Sequence, residues 1–472
     1  MIEARVSALI LGMLVLSSGC TLGPNYQPPA MVAGAQAPWV SVSADAESMV
    51  QPEGDWWKLY HDPLLDRFLD EAFRANADLR VAEANLSAAR SVLEAARAGQ
   101  YPQTSVDAGA IRGRDAHTDE ILEINGLPPK TLWIFDELLD VSYEVDLFGR
   151  VRRSVEASRA DAAAVAAARD SVKITIAAET TRAYAQVCAL GQQLAVARHS
   201  LEVVTHEAQI TSRRHEAGAN SEFDVVRAQG LVAQVRAGIP SLQGQRKAAL
   251  FQLAALLGRA PSNAPAEAEA CAQPLRLNDL IPVGDGAALL RRRPDVRQAD
   301  RRVASATARI GVATADLYPR ITLKGLAGGV SSEFNELTTD KGLTWGVGPS
   351  VSWTFPNQAA PRARVRQAKA TTVAALAGFD SVVLQALKET EQALTTYGAE
   401  LDRRQALAEV QDKAHRAFDM AHDQFVAGSL SNLDLLASEQ SLVGADASAA
   451  ASDATLVQDQ IAVFKALGGG WD

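Results

Sequence analysis

The sequence predicts an α+β membrane protein in which a few membrane-spanning strands per chain are joined to helices far longer than a globular domain can use. Three observations carry this reading: strict two-residue alternation in short stretches, proline-free runs of helical composition, and the appearance of the whole layout twice. In the first alternating stretch, Val141, Tyr143, Val145 and Leu147 interleave with Ser142, Glu144 and Asp146. In the second, Trp345, Val347, Val351, Trp353 and Phe355 interleave with Thr344, Gly346, Gly348, Ser350, Ser352 and Thr354. An apolar, aromatic face opposite a small, polar one fits a strand with lipid outside and water inside. A soluble sheet would carry charges outward instead of glycine and serine.

The N-terminus reads MIEARVSALILGMLVLSSGC. Its apolar run from Val6 to Leu16 is too short to span a bilayer and fits a signal-peptide core, so residues 1–19 are expected to be a signal peptide. Small residues before Cys20 resemble a lipoprotein cleavage site, with Cys20 as lipid attachment point. Thr21 follows, where an aspartate would mean inner-membrane retention, so outer-membrane sorting is expected. Residues 20–65 form a lipidated, extended N-terminal segment. Of the remaining cysteines, Cys188 falls in a helical stretch and Cys271 in a proline-rich linker; two cysteines set no disulfide framework, and they are expected not to pair.

Duplication organises the rest. ADLRVAEANLSAAR from Ala77 aligns with PDVRQADRRVASAT from Pro294, which brings Tyr101-Pro102 onto Tyr318-Pro319 in the same register. The repeats are placed at 66–258 and 284–468, with a linker at 259–283 and a C-terminal tail at 469–472. Each begins with a helix that stops at the Tyr-Pro step, because the residue before proline is pushed toward extended conformations. Two strands follow: the residues after Pro102 pair with the stretch around Val141, and ITLKGLAG pairs with the stretch around Trp345. Loops near 113–138 and 329–342 join each pair, and Pro349 predicts a bulge in its strand. Each repeat then enters a very long helix. From Val151 to Ala217 there is no proline and only Gly191; from Arg362 to Ala427 there is again no proline, with Gly378 and Gly398. At 1.5 Å per residue each could reach roughly 100 Å. Dense alanine suits side-by-side packing of many such helices.

The long helices end in matching motifs, HEAGANSEFDVV from His215 and FVAGSLSNLDLL from Phe425. Gly218 and Gly428 stand where a left-handed residue ends a helix, and Ser221 with Asp224, and Ser431 with Asp434, match capping boxes opening the next one. Each is a tight turn between antiparallel helices, expected at the end of a rod opposite the strands. Four strands cannot close a barrel, and an open edge in lipid leaves backbone groups unsatisfied, so a closed oligomer is required. Three chains would give about twelve strands.

A formal charge of -10, with acids and bases alternating along the helices, argues against a nucleic-acid partner. His206-Glu207 lacks the second histidine of a zincin, Gly346-x-Gly348 has Val351 where a dinucleotide fingerprint needs glycine, and no phosphate loop is present. His415, Asp419 and His422 share a helix face but read as a solvated surface ahead of a metal site. No catalytic constellation emerges, and an enzyme is not expected.

YEVDLFGRVRRSVEAS, LLRRRPDVRQADRRVASA and CTLGPNYQPP closely resemble the outer-membrane efflux lipoproteins of the NodT family, TolC-like channels of tripartite resistance-nodulation-division pumps. The resemblance implies a homotrimer, a transmembrane β-barrel of four strands per chain continuous with a long periplasmic α-helical coiled-coil barrel, and a mixed equatorial region built by the linker and C-terminus. It implies an exit duct for small molecules such as drugs, a periplasmic adaptor docking at Gly218, Ser221, Gly428 and Ser431, an inner-membrane pump, and no cofactor beyond the lipid on Cys20. An outlet for type I protein secretion is the runner-up, and a poreless structural coiled coil a more distant one. In TolC-like channels an acid at the position of Asp434 lines the narrowest ring, which places Asp224, Leu430, Leu433 and Asp434 at the gate. Some relatives carry an arginine at Leu430 and an acid at Ala437, so closure is expected to rest on Leu430, Leu433 and helix packing. Asp434 as a plain helix cap is the alternative.

Overall fold

The computed structural model describes residues 21–35, 37–41, 47–48, 54–114, 120, 123–126, 128, 131–277, 280–284 and 286–469. The expected signal peptide at 1–19, Cys20 and the last three residues lie outside them. The duplication is visible in the elements. The first copy comprises α1 (Pro63–Ala75), α2 (Ala77–Ala98), β1 (Gln103–Gly113), β2 (Leu132–Val145), α3 (Arg150–Glu216) and α4 (Glu222–Leu256). The second comprises α5 (Gly286–Arg292), α6 (Pro294–Ala315), β3 (Arg320–Ser331), β4 (Leu343–Ser352), α7 (Ala359–Val426) and α8 (Asn432–Ala466). α2 and α6 have 22 residues each, α4 and α8 have 35 each, and α3 and α7 have 67 and 68. The chain folds as two compact units.

The first unit, the described residues of Met1–Pro29, Leu86–Val165 and Ala299–Phe379, holds the sheet. Its four strands are antiparallel in the order β1-β2-β3-β4, so the two copies meet at the β2–β3 pair. The register makes one face mainly polar, with Ser105, Asp140, Ser142, Glu144, Lys324, Thr322, Gly348 and Ser350 but also Ile111, Ile134, Leu138, Leu326 and Val330, and the other mainly apolar, with Val106, Leu139, Val141, Tyr143, Leu323, Ala327, Val347 and Val351. Two charges interrupt the apolar face: Glu137, opposite Ala108 and Gly329, and Arg112, which lies over the Trp133 ring at 5.9 Å.

Two sequence expectations are corrected here. The strands reach into stretches assigned to loops, β2 starting at Leu132 and β3 ending at Ser331, because Leu132 to Phe135 continue the ladder with β1. Pro349 makes no bulge: it sits opposite Leu323 in unbroken register. β4 is an edge strand, and an edge has a row of N–H groups without a partner in its own sheet, so a proline there need not remove a ladder bond.

The Asp-Leu-Phe-Gly-Arg stretch opens α3. Asp146 accepts from the backbone N–H of Val151 at 3.1 Å and of Arg152 at 2.9 Å, supplying partners to donors the helix start leaves free. Phe148 stacks on Tyr318 at 4.8 Å. The buried Arg153 donates to the carbonyls of Leu22 and Gly23 and to Asn25 Oδ1, and Tyr26 hydrogen-bonds Asp300, so the segment following Cys20 is clamped to α3 and α6. Gly23 passes so close to Gly311 that a Cβ would stand 2.6 Å from its Cα.

The second unit, the described residues of Ala30–Asn85, Ala166–Gln298 and Asp380–Asp472, holds the main core. Trp56 stacks on Phe464 at 4.7 Å, and Phe68 meets Tyr184 edge-on at 5.4 Å beneath fully buried Leu65, Leu69 and Leu253. Here the Arg-Arg-Pro-Asp motif finds its use. Arg293, 6% exposed, donates to the carbonyl of Ala466 at 2.7 Å and pairs with Asp295 and Glu389, while Arg292 donates to the carbonyl of Leu467. The motif thus closes the C-terminal end of α8. In the first copy Asn76 occupies the equivalent place, donating to the carbonyl of Leu256 at 3.0 Å at the end of α4. A two-residue parallel pair, Glu47–Ser48 with Ile281–Pro282, links the N-terminal segment to the linker.

Cys188 and Cys271 are disulfide-bonded, contrary to expectation. The linker runs back along α3, where Arg246 of α4 donates to the carbonyls of Glu269, at 2.5 Å, and Cys271, at 2.6 Å. Gly191 is explained by the same approach, since a Cβ there would meet the Cys271 carbonyl oxygen at 2.3 Å. A peptide map made without reductant should contain the Cys188 and Cys271 peptides joined. Cys188→Ser should lower stability by about 2–4 kcal/mol, read as a fall in the midpoint of chemical unfolding; separate peptides in the unreduced map would refute the bridge.

Candidate functional site

The matching turns of the second unit are built alike. At the end of α3, Gly218 has φ +78°, its N–H donates to the carbonyl of His215 at 2.8 Å, and that of Ala219 donates to Arg214 at 2.8 Å. At the end of α7, Gly428 has φ +81°, with bonds from Gly428 to Phe425 at 3.0 Å and from Ser429 to Gln424 at 2.9 Å. Both are Schellman closures, which satisfy terminal carbonyls through a left-handed residue that glycine supplies without steric cost.

The helices that follow open differently. At α4 the reciprocal capping box is complete: Ser221 Oγ accepts from the Asp224 N–H at 3.2 Å, and the Asp224 carboxylate accepts from the Ser221 N–H at 3.0 Å. The Ser221 hydroxyl first, with further hydrogen bonds from the Ser221 backbone and Asn432, holds the Asp224 carboxyl below the usual carboxylate range. At α8 only half the box forms among the described residues. Ser431 Oγ accepts from the Asp434 N–H at 3.3 Å and donates to its carboxylate at 2.6 Å. Asp434 thus sits in a helix-cap geometry within the chain.

Cross-links between the copies were missed by sequence reasoning. Asn432 reaches Asp224 of the first turn and also accepts from the Thr211 hydroxyl at 3.0 Å. Arg214 donates to the Phe425 carbonyl at 2.5 Å with its guanidinium 4.2 Å from the Phe425 ring centroid. A cation at the C-terminal end of α7 complements the helix dipole and an orphan carbonyl together. Phe425, Ala421 and Leu435 make a small apolar cluster with Ile210, Phe418 and Leu430 packed against it. Of the expected gate residues, Leu430 therefore packs inward while Leu433 is exposed. Nothing local in the sequence marks Thr211, Arg214 or Asn432, because their partners come from the other copy. His415 pairs with Asp446 at 2.9 Å and His422 with Glu207 at 3.0 Å, so the histidines of that face diverge; among the described residues no group of three ligand-type side chains could hold a metal ion.

A family model described as outer membrane efflux protein matches residues 68–259 and again 287–469. The chain belongs to the outer membrane efflux protein family. Among relatives of this efflux protein, the pyoverdine export outer membrane protein OpmQ of Pseudomonas putida is 30% identical, with 98% of this chain and 97% of that one covered. Nodulation protein T of Rhizobium leguminosarum bv. viciae is 28% identical over 99% of this chain and 94% of its own length. The solved outer-membrane channel OprN superposes with a TM-score of 0.87 at 33% identity, covering 96% of this chain and all of that one. The efflux protein thus has the fold of TolC-like outer-membrane channels and resides in the outer membrane, which removes the poreless coiled coil.

The turn geometry of the efflux protein predicts its own sensitivity. Gly428→Val forces a β-branched residue into positive φ, at about 1–2 kcal/mol or more. Amide exchange at Ser429 and Asp434 should accelerate while the sheet amides stay protected; unchanged exchange at the turn would mean that it tolerates the strain.

Proposed function

We propose that the protein works as a homotrimeric exit duct of a tripartite efflux pump, carrying small molecules across the outer membrane without catalysis or a cofactor. The observation that carries this reading is the four-stranded sheet with two open edges, β1 and β4, one face mainly apolar and the other mainly polar. Lipid provides no hydrogen bonds, so a spanning sheet must close on itself. Four strands are too few and bacterial barrels start at eight, which makes three chains and about twelve strands the natural closure. α7 supports the same reading. By length and composition it could cross a membrane, yet 17% of its most apolar window is buried within the chain, leaving an apolar surface for neighbouring copies to cover. The domain plan goes with it: a signal peptide at 1–19, a lipidated segment at 20–65, and repeats at 66–258 and 284–468 around the linker at 259–283.

In this reading the turns at Gly218 and Gly428, with Ser221 and Ser431, are the periplasmic tips that an adaptor protein engages on behalf of an inner-membrane pump, which supplies the energy. The double variant Gly218→Val, Gly428→Val should lose adaptor crosslinking while the oligomer persists. Asp224, Leu430, Leu433 and Asp434 form the gate region, and the lipid on Cys20 anchors the segment that Arg153 clamps.

Native mass measurement of detergent-extracted protein should give three chains, each carrying acyl mass that Cys20→Ser removes. A stable monomer would sink the architecture, and equal masses in the mutant would sink the lipid. Three Asp434 carboxylates around one axis should favour cations. In planar bilayers at neutral pH, Asp434→Asn should reduce cation selectivity several-fold; selectivity equal to wild type would leave Asp434 a helix cap only.

A further inference from the structure

Behind the turns, two carboxylates are buried where the efflux reading gives them no work. Glu207 on α3 is 4% exposed and Glu439 on α8 is 3% exposed. Glu207 Oε1 lies 3.0 Å from His422 Nδ1 of α7 and 3.4 Å from His206 Nδ1. Among the described residues its Oε2 has no hydrogen-bond partner, and neither has Glu439 Oε1. A buried carboxylate without a partner is costly, and two near each other are costlier, because each charge disfavours the other. Burial, and then the neighbouring Glu207 charge, push the Glu439 carboxyl up to about 8. Glu439, 3% exposed with Oε1 unpartnered among the described residues, is the carboxyl that a proton keeps neutral while these helices pack.

The surroundings offer little to offset a second charge. α7 contributes His422, Asp419 and Asp423 around a cavity of about 620 Å³ that Glu202, His206 and Glu207 line from α3. α4 brings apolar Leu231 and Val232, which pack with Val204 and Leu436 one turn along, while its Arg236 lines a separate cavity with Thr205 and Gln209. On α8 the next acid, Asp446, is already paired with His415 and Gln411. A metal could in principle compensate two carboxylates and two histidines, but these side chains do not converge on a common point. The proton is the smaller solution.

We propose that Glu439, with Glu207 and His422, is a proton-controlled brace: while Glu439 holds its proton, α8 packs against α3, and when the proton leaves to solvent the paired carboxylates force the helices apart and loosen the turns. The sign follows from linkage. A carboxyl raised above its unfolded value of 4.5 supports the packed state fully below that value, and the support is lost as pH rises through about 8. The brace should therefore be set at neutral pH and released in alkali. Thr211–Asn432 and Arg214–Phe425 lie on the same helices toward the turns, so they are the contacts that release would strain.

The test uses full-length protein in detergent, spin-labelled at Ala219→Cys and Ser429→Cys, with pulsed EPR distances measured from pH 6 to 9.5. The wild-type background should show a distribution that broadens and lengthens with a midpoint near 8. Glu439→Gln, always neutral, should keep the low-pH distribution throughout, and Glu207→Gln should move the midpoint downward, by removing the charge that holds the Glu439 carboxyl up, or abolish the response. A wild-type distribution that ignores pH, or a Glu439→Gln variant that responds like wild type, overturns the brace. So does a response that follows added zinc or chelator in place of pH. The readout is a distance within the protein, so it stands or falls independently of whether the chain conducts.

Discussion

Every helix end leaves backbone groups without an intrahelical partner, and the layout of this chain follows from where those groups find one. Asp146 receives the first N–H groups of α3, Gly218 and Gly428 fold the ends of α3 and α7 onto themselves, and Arg293 and Asn76 close α8 and α4. Each closure joins two elements, so satisfying the backbone also sets the path of the chain. The sheet poses the same problem in a harsher solvent. In the proposed reading its two edges would meet lipid with no water to turn to, and closure would call for further chains.

Because the closures are duplicated, their differences are informative. Asn76 and Arg293 do one job with different chemistry, a neutral amide in the first copy and a charged guanidinium paired with Asp295 and Glu389 in the second. The turns differ too. The first has a complete capping box, while the second has half of one and depends on Arg214 and Asn432 reaching across from or to the first copy. The bracing runs both ways, since Asn432 also hydrogen-bonds Asp224 of the first turn.

The segment after Cys20 shows how an extended chain can be held without secondary structure of its own. Arg153 spends its guanidinium on two carbonyls and an amide of residues 22 to 25, and glycines at 23 and 311 allow the backbones to touch. In the second unit the linker is held in the same manner, with Arg246 gripping two carbonyls, Gly191 permitting the approach, and a disulfide added. Arginine over glycine is the device this chain uses at both places.

The sequence by itself determined the duplication, the long helices, both glycine turns and the alternating strands, because each is written in neighbours a few residues apart: a proline-free run, a Gly before a Ser-x-x-Asp, a period of two. It misplaced the start of β2, since Leu132 to Phe135 are strand only through pairing with β1. It also led to unpaired cysteines, because 83 residues separate Cys188 from Cys271 and nothing local shows the linker returning. Tertiary structure alone decided which polar residues would be buried. Glu207 and Glu439 look like the ordinary surface acids of an acidic helix, and Thr211 and Asn432 like ordinary polar positions. What they do depends on which faces of α3, α7 and α8 meet, and in helices so rich in alanine the sequence marks no single face as the inner one.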